Sequence, residues 1–358
     1  MSAINAAIET ELSFTFTMAR KGHEEFVADQ RRVNPPVVIV DLTGKTVIVI
    51  GANIGLGFEA SKHFARMNPE RLILACRNEE KGKDALFRLR EDTNYLKAEL
   101  WIIDLANFGS VTAFADKCAG ELDRLDILVE NAGMSPFGRY DVVEGWETCL
   151  HTNNLGPGLL AIRLVPKMID TARRFGVYPR IVVVSSEVHY WTTFEKELVE
   201  SPNVLAKLSS KEYSTPEIMK RRYFDSKLLN VLFARAFQQR LPPSTVTVNS
   251  VNPGFCISNL RSTLPEELRE ANAKQEAELA FTTEEGSRQL VFSAVGGAND
   301  EDKLRGAYIS LSEVVEESDF VISEDGKVVQ DKVWDEMLAI LEGVDTKVAD
   351  VAREYLKN

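Results

Sequence analysis

Short β-branched runs alternate with longer amphipathic segments, a glycine-rich turn joins the first run to the first such segment, and no internal repeat occurs. Together these predict a single doubly wound α/β domain, a parallel sheet wrapped by helices. The runs lie at residues 46–50, 72–76, 99–103, 126–130, 180–184, 245–251 and 306–310, and they are nearly continuously apolar, as strands covered on both faces are. Seven runs predict a seven-stranded sheet. Segments 57–67, 79–92, 111–121, 144–176 and 223–240 carry apolar residues at helical recurrence and are expected to lie on it. Residues 188–222, 261–283 and the acidic end of the chain are less regular and read as insertions and a lid around that core.

Length and composition bound what such a domain does. At 358 residues, 44% of them hydrophobic, the chain buries a full core without disulfides or structural metals. Its 42 Lys and Arg are scattered and outnumbered by 54 Asp and Glu, so a net charge of −12 argues against nucleic acid or anionic lipid as a partner. Thirteen acids and five bases fall in residues 311–358, which therefore read as a solvated acidic surface. Cys76, Cys118, Cys149 and Cys256 are far apart, with no CxxC and no His at ligand spacing, which predicts free thiols, a reducing compartment and no metal. No uncharged apolar run reaches the roughly 18 residues of a transmembrane segment. Glu9 and Glu11 stand where a signal peptide needs a basic start, so a cytoplasmic protein is expected. Residues 1–43 read as an N-terminal arm, with an alternating stretch at Leu12, Phe14, Phe16 and Met18 before a basic, Pro-containing linker. Residues 44–312 read as the domain and 313–358 as a helical C-terminal extension.

The first run leads into Gly51-Ala52-Asn53-Ile54-Gly55-Leu56-Gly57, and Phe58, Ala60, His63 and Phe64 continue at helical spacing. Missing Cβ atoms let such a turn bend sharply and approach a pyrophosphate, whose charge is met by amides at the helix N-terminus. Gly51, Gly55 and Gly57 at this spacing resemble the TGxxxGxG motif of the short-chain dehydrogenases/reductases, a family with a Rossmann-type fold; Ile50 departs from the usual Thr. Gly51, Asn53, Ile54, Gly55, Leu56 and Gly57 are thus the expected phosphate cradle.

The second run ends in Ala75-Cys76-Arg77, without the acid that would chelate the ribose hydroxyls of NAD. A guanidinium there can pair with the 2′-phosphate of NADP, so Arg77 favours NADP(H), the plainer alternative being a solvated Arg at a helix start. After the third run Asp104-Leu105, and after the fourth Asn131-Ala132-Gly133, stand at strand ends where ligands sit. By resemblance, Asp104 contacts the adenine amino group and Asn131, Ala132 and Gly133 are the NAG of the family's NNAG, with Glu130 replacing the first Asn.

Tyr223 and Lys227 share one helix face at i and i+4, a spacing that lets an ammonium draw a phenol's pKa down toward neutral pH. Alone the pair is weak, but it follows a phosphate loop and NAG. Ser185 and Ser186 end the fifth run, matching the family's VSS, with Ser186 implied as the serine that hydrogen-bonds the substrate carbonyl. Asn153, in His151-Thr152-Asn153-Asn154-Leu155-Gly156, resembles the structural asparagine that anchors a proton-relay water. Pro253, Gly254 and Ser258 match PGxxxT, with Ser258 in the Thr place.

These motifs run in family order, and the resemblance covers about residues 42–310. It implies a catalytic set of Asn153, Ser186, Tyr223 and Lys227 in an NADP-binding domain that moves hydride between the cofactor and a carbonyl or alcohol, with Tyr223 and Lys227 also touching the cofactor. His189, Tyr190, Trp191 and Phe194 lie in the long Ser186-to-Tyr223 insertion and suggest an apolar substrate, or else they pack the insertion onto the core. GANxGLGFEA, ENAG and the acidic extension resemble retinol dehydrogenase-like reductases, including fungal forms in secondary-metabolite pathways. A lyase or cyclase of the same fold and a non-catalytic NADP sensor are the competing readings, and the chain is expected to be a monomer or homodimer.

Overall fold

The computed structural model describes residues 21–262, 264–297 and 300–357. Strands β1 (Thr46–Ile50), β2 (Arg71–Cys76), β3 (Ala98–Ile102), β4 (Ile127–Glu130), β5 (Arg180–Val184), β6 (Thr247–Asn252), β7 (Tyr308–Ser310) and β8 (Glu313–Val315) form one sheet in the order β8-β7-β6-β5-β4-β1-β2-β3. Neighbours pair in parallel except β7 and β8. The sheet therefore has eight strands where seven were expected. The seven runs supply its parallel part, and an antiparallel edge strand comes from the acidic end. Leu311 and Ser312, with φ of 51° and 60°, form the tight turn that doubles the chain back.

Alternation along β1 divides the core. Val47 and Val49 face a layer containing Phe58, Phe64, Leu89 and Leu290. That layer is built by α2 (Gly55–Arg66), α3 (Glu79–Thr93) and α8 (Thr283–Val295). Ile48 and Ile50 face the other layer, with Phe114, Leu159, Leu232 and Phe237. It is built by α4 (Phe108–Glu121), α5 (Gly156–Phe175) and α6 (Pro216–Arg240). The remaining long helices are α1 (His23–Gln30) in the arm, α7 (Glu266–Leu279), and α9 (Glu324–Val344) with α10 (Thr346–Tyr355) at the C-terminal end.

Three expectations need correction. The segment expected to be helical from residue 144 opens instead as a hairpin, Val142–Val143 with Trp146–Glu147, turned by Glu144 and Gly145 at φ of 49° and 86°. Helix follows as a short turn and a π-helical stretch, His151–Leu155, before α5. α6 starts seven residues before Tyr223, with Thr215 capping it and Pro216 in its first turn. The acidic extension is no solvated cover: Val329, Val333, Trp334, Met337 and Leu341 of α9 are buried in the main core. Trp334 stacks on Phe233 at 6.0 Å and Phe237 at 5.5 Å. Its apolar stripe joins the domain, and some of its acids bond inward as well, Glu336 to the Leu205 and Ala206 amides and Glu317 to Arg235. The alternating stretch from Leu12 to Met18 lies outside the described residues.

Candidate active site

The glycine turn sits where β1 meets α2. Gly51 and Gly55 have φ of 79° and 66°, a region that favours glycine. A Cβ on Gly57 would lie 2.5 Å from both the Gly51 carbonyl oxygen and Asn131 Nδ2, so glycine is required for close packing as well. Asn131 Nδ2 donates to the Ile50 and Gly51 carbonyls, both at 3.2 Å, and so ties the turn to the end of β4. That contact supplies support where the family's Thr is replaced by Ile50. No side chain caps the α2 N-terminus at Ile54, which leaves its first-turn amides open to an anion, with Asn53 before it and Leu56 after it. Arg77 is exposed at the end of β2, with no ion pair among the described residues, and next to it Asn78 caps α3 through Lys81 N at 2.9 Å.

Behind the turn, Asp104 folds back on the Ala106 amide at 3.0 Å, and the Leu105 carbonyl meets His151 Nδ1 at 3.0 Å. Gly156 packs so tightly on that Leu105 carbonyl that any side chain would collide with it. The π-helical stretch sets Asn153 between two elements. Its Oδ1 accepts from Met134 N at 2.9 Å, while its Nδ2 donates to Met134 O at 2.9 Å and Ser226 Oγ at 3.0 Å. Asn153 therefore clamps the chain leaving Asn131, Ala132 and Gly133 onto α6.

The clamp brings Lys227 to the end of β5. Its Nζ donates to the Val184 carbonyl at 2.7 Å and lies 5.6 Å from the Tyr223 ring centroid. A Cβ on Gly133 would stand 3.6 Å from that Nζ. Ser185 Oγ donates to the Lys227 carbonyl at 2.8 Å, fixing β5 against α6 and leaving Ser186 at the strand end. Ser186 is partly exposed, and its hydroxyl receives only a long contact, 3.4 Å, from Val188 N. Among the described residues none hydrogen-bonds the Tyr223 hydroxyl, which is free to meet a ligand. Burial pushes the Tyr223 phenol up and brings the Lys227 ammonium down to about 8. The expected lowering of the phenol pKa by its lysine is thus not present in this arrangement, because the ammonium addresses Val184 and desolvation dominates both groups.

The aromatic residues of the insertion divide by role. His189, Tyr190 and Phe194 are buried packing residues. His189 Nδ1 donates to Ser186 O at 2.8 Å, Nε2 accepts from Ser318 N at 3.3 Å, and Phe194 stacks edge-on against Phe320. Trp191 instead contacts Phe224, next to Tyr223, and Phe26 of the arm. Sequence reasoning identified this arm but missed its packing against the site. Gln30 donates to Phe255 O at 2.9 Å and accepts from Phe255 N at 3.1 Å, and Lys21 pairs with Glu187 at 3.5 Å and Asp29 at 2.5 Å. Burial lifts Glu187 to about 7 against that lysine. Pro253 and Gly254 are therefore held from outside. Gly254 has φ of 82°, and a Cβ there would lie 2.7 Å from Phe281. Ser258 begins the next turn, Asn259–Arg261, without capping it.

Known proteins resemble this chain in sequence and fold. A family model described as short chain dehydrogenase matches residues 45–194. The short chain dehydrogenase/reductase dmxR8 of Cryptosporiopsis sp. (strain 8999) is 36% identical over 89% of this chain and 97% of its own length. The short chain dehydrogenase sol3 of Alternaria solani is 36% identical over 76% and 90%. Among solved structures, an uncharacterized Mycobacterium paratuberculosis protein aligns with TM-score 0.60 at 23% identity, covering 86% of this chain and 95% of that one. A Sphingobium yanoikuyae short-chain dehydrogenase in complex with NADPH aligns with TM-score 0.53 at 20% identity, covering 84% and 95%. These two share the fold. With a relative 36% identical over 89% of its length, the chain belongs to the short-chain dehydrogenases/reductases, oxidoreductases that bind a nicotinamide cofactor and act on carbonyl or alcohol groups.

Proposed function

We propose that this protein is an NADPH-dependent reductase of hydrophobic aldehydes or ketones. The observation that carries the reading is the Tyr223 hydroxyl, which no described residue hydrogen-bonds, near Lys227, with the partly exposed Ser186 at the C-terminal end of β5. The residues fit a dinucleotide: Gly51 and Gly55 give the turn its positive φ, α2 begins without a side-chain cap, and among the described residues Arg77 has no ion-pair partner. When bound, NADPH supplies the hydride.

The chain's own residues do the rest. Gly51, Asn53, Ile54, Gly55, Leu56 and Gly57 cradle the phosphates, Arg77 binds the 2′-phosphate, and Asp104, Leu105, Asn131, Ala132 and Gly133 line the adenosine and ribose side. Pro253, Gly254 and Ser258 close the nicotinamide end, while Lys227 holds the ribose hydroxyls. Ser186 donates to the carbonyl oxygen, and the Tyr223 hydroxyl delivers a proton to it as negative charge develops there. Phe26, Trp191, Phe224 and Phe255 in mutual contact support an apolar substrate. Kinship with fungal short-chain dehydrogenases supports a place in secondary metabolism. α9 and α10 cover α5 and α6, which supports a monomer.

The test is NADPH absorbance decay with a panel of hydrophobic aldehydes and ketones. Tyr223→Phe is expected to lower kcat at least about a hundredfold while NADPH still binds. Turnover retained in that variant refutes the mechanism, and tight NADPH binding without turnover on any carbonyl favours a sensor or a non-redox enzyme.

A further inference from the structure

Glu130, at the last position of β4, is 5% exposed, and neither of its carboxyl oxygens has a hydrogen-bond partner among the described residues. It faces an internal cavity of about 10 Å³, lined also by Asn153, Asn154, Asn230, Val183 and Met337, with room for about one water molecule. None of the residues lining that cavity besides Glu130 is ionisable. An ionised carboxylate with both oxygens unpaired in such a place would be strongly disfavoured, and burial accordingly drives Glu130 far above the ordinary carboxylate range.

One acceptor on the same cavity lacks a donor, Asn154 Oδ1. The other end of that amide is fully used, since Nδ2 donates to Ser226 O at 2.9 Å and to Asn230 Oδ1 at 2.5 Å. Asn230 Nδ2 in turn donates at 3.2 Å to the Val184 carbonyl, the same oxygen that holds Lys227 Nζ at 2.7 Å. A protonated carboxyl brings to this cavity a donor with no other partner, and Asn154 Oδ1 is an acceptor on it without one.

We propose that Glu130 is a proton-bearing positioning residue whose O–H, directly or through one water in the cavity, donates to Asn154 and so locks the Asn154–Asn230–Val184 chain that orients Lys227. The inference rests on the role given to Lys227 above. Glu130 touches neither substrate nor cofactor. It fixes the amide rotamers behind the catalytic lysine, a buried network that specifies one geometry only when every member is satisfied.

Two measurements decide it. In the infrared difference spectrum of cofactor-free wild type minus Glu130→Gln at about pH 8, where ordinary carboxyls are ionised, the C=O band of a protonated carboxylic acid is expected. Carboxylate bands alone overturn the proposal. In NADPH-dependent reduction, Glu130→Leu, which cannot donate, is expected to lower kcat about tenfold with the KM for the carbonyl unchanged and no fall in melting temperature. Glu130→Gln, whose NH₂ replaces the O–H, recovers most of that loss. A fall in kcat that tracks lost stability and is not recovered by Gln marks a purely structural residue and overturns the proposal. Turnover that depends on Lys227 but ignores Glu130 also overturns it while leaving the proposed function standing. A wild type that binds no NADPH overturns the function instead, and the infrared result still decides the protonation of Glu130.

Discussion

Titrating Lys227 probes the site without altering the fold. Its ammonium is enclosed by the Val184 carbonyl, Gly133 and the Tyr223 ring, and burial lowers its pKa from the ordinary 10.5 to about 8. With that value roughly nine-tenths of the molecules carry the charge at about pH 7 and roughly one-tenth at about pH 9. Because ribose binding in the proposed mechanism needs the charged form, NADPH-dependent kcat/KM should fall about tenfold across that interval. Tyr223 cannot supply this limb, since burial raises its pKa and it keeps its proton there. Stability moves the other way. Lys227 has a lower pKa folded than unfolded, so below about pH 8 both states hold the proton and the native state bears the full burial penalty, on the order of 3 kcal/mol. Between 8 and 10.5 the native state sheds its proton first and the penalty is relieved. The assay is initial NADPH oxidation rate against pH, with urea unfolding in the same buffers. Lys227→Arg keeps its charge throughout and should show a lower but flat profile. A flat wild-type profile, or an alkaline limb unchanged in Lys227→Arg, would refute the assignment.

Arg77→Ala should weaken NADPH binding by about ten- to a hundredfold, the loss of one or two charge-assisted phosphate contacts, and leave NADH binding unchanged. Cofactor fluorescence titration measures both, and equal losses would show that Arg77 does not read the 2′-phosphate. Trp334→Ala should destabilise the fold by about 3–5 kcal/mol in urea unfolding, because it empties the stack on Phe233 and Phe237. A change below about 1 kcal/mol would mean that α9 is not part of the cooperative core.

What was legible in the sequence was what is local. The glycine turn, the Asn131-Ala132-Gly133 stretch and the Tyr223–Lys227 pair each put their chemistry within a few residues, and β1 to β7 announce themselves as apolar runs. β8 did not, because its turn uses Leu311 and Ser312 at positive φ, where Asn-Gly or Asp-Gly would have marked a hairpin. α1 is one short helix whose hold on the protein lies in Phe26 and Gln30, contacts to residues more than 160 positions away. The buried stripe of α9 was written in Val329, Val333, Trp334, Met337 and Leu341, but thirteen acids masked it when charge was weighed before periodicity. The chain of Asn154, Ser226, Asn230 and Glu130 is a tertiary object. Only the adjacency of Asn153 and Asn154 and the four-residue step from Ser226 to Asn230 hinted at it.

Placing these segments also decides which of them can move. Residues 188–222 were expected to include a lid, yet they are pinned by the fully buried Arg222. Its guanidinium lies 3.6 Å from Glu147 and 3.8 Å from Asp225 and donates to Leu208 O at 2.6 Å and Ser214 Oγ at 3.1 Å. Lifting the insertion would break the bonds to Leu208 O and Ser214 Oγ and leave those guanidinium donors unmet, a cost of about 1–3 kcal/mol. α9 likewise cannot leave without exposing Trp334. α7 differs: it buries no residue of its own, and Arg261–Glu276, Arg31–Glu278 and the Gln30–Leu279 hydrogen bond tie it down. Partly exposed pairs of this kind are worth about 0–1 kcal/mol each. α7 is therefore the most weakly held of the three, and the insertion and α9 are fixed parts of the domain.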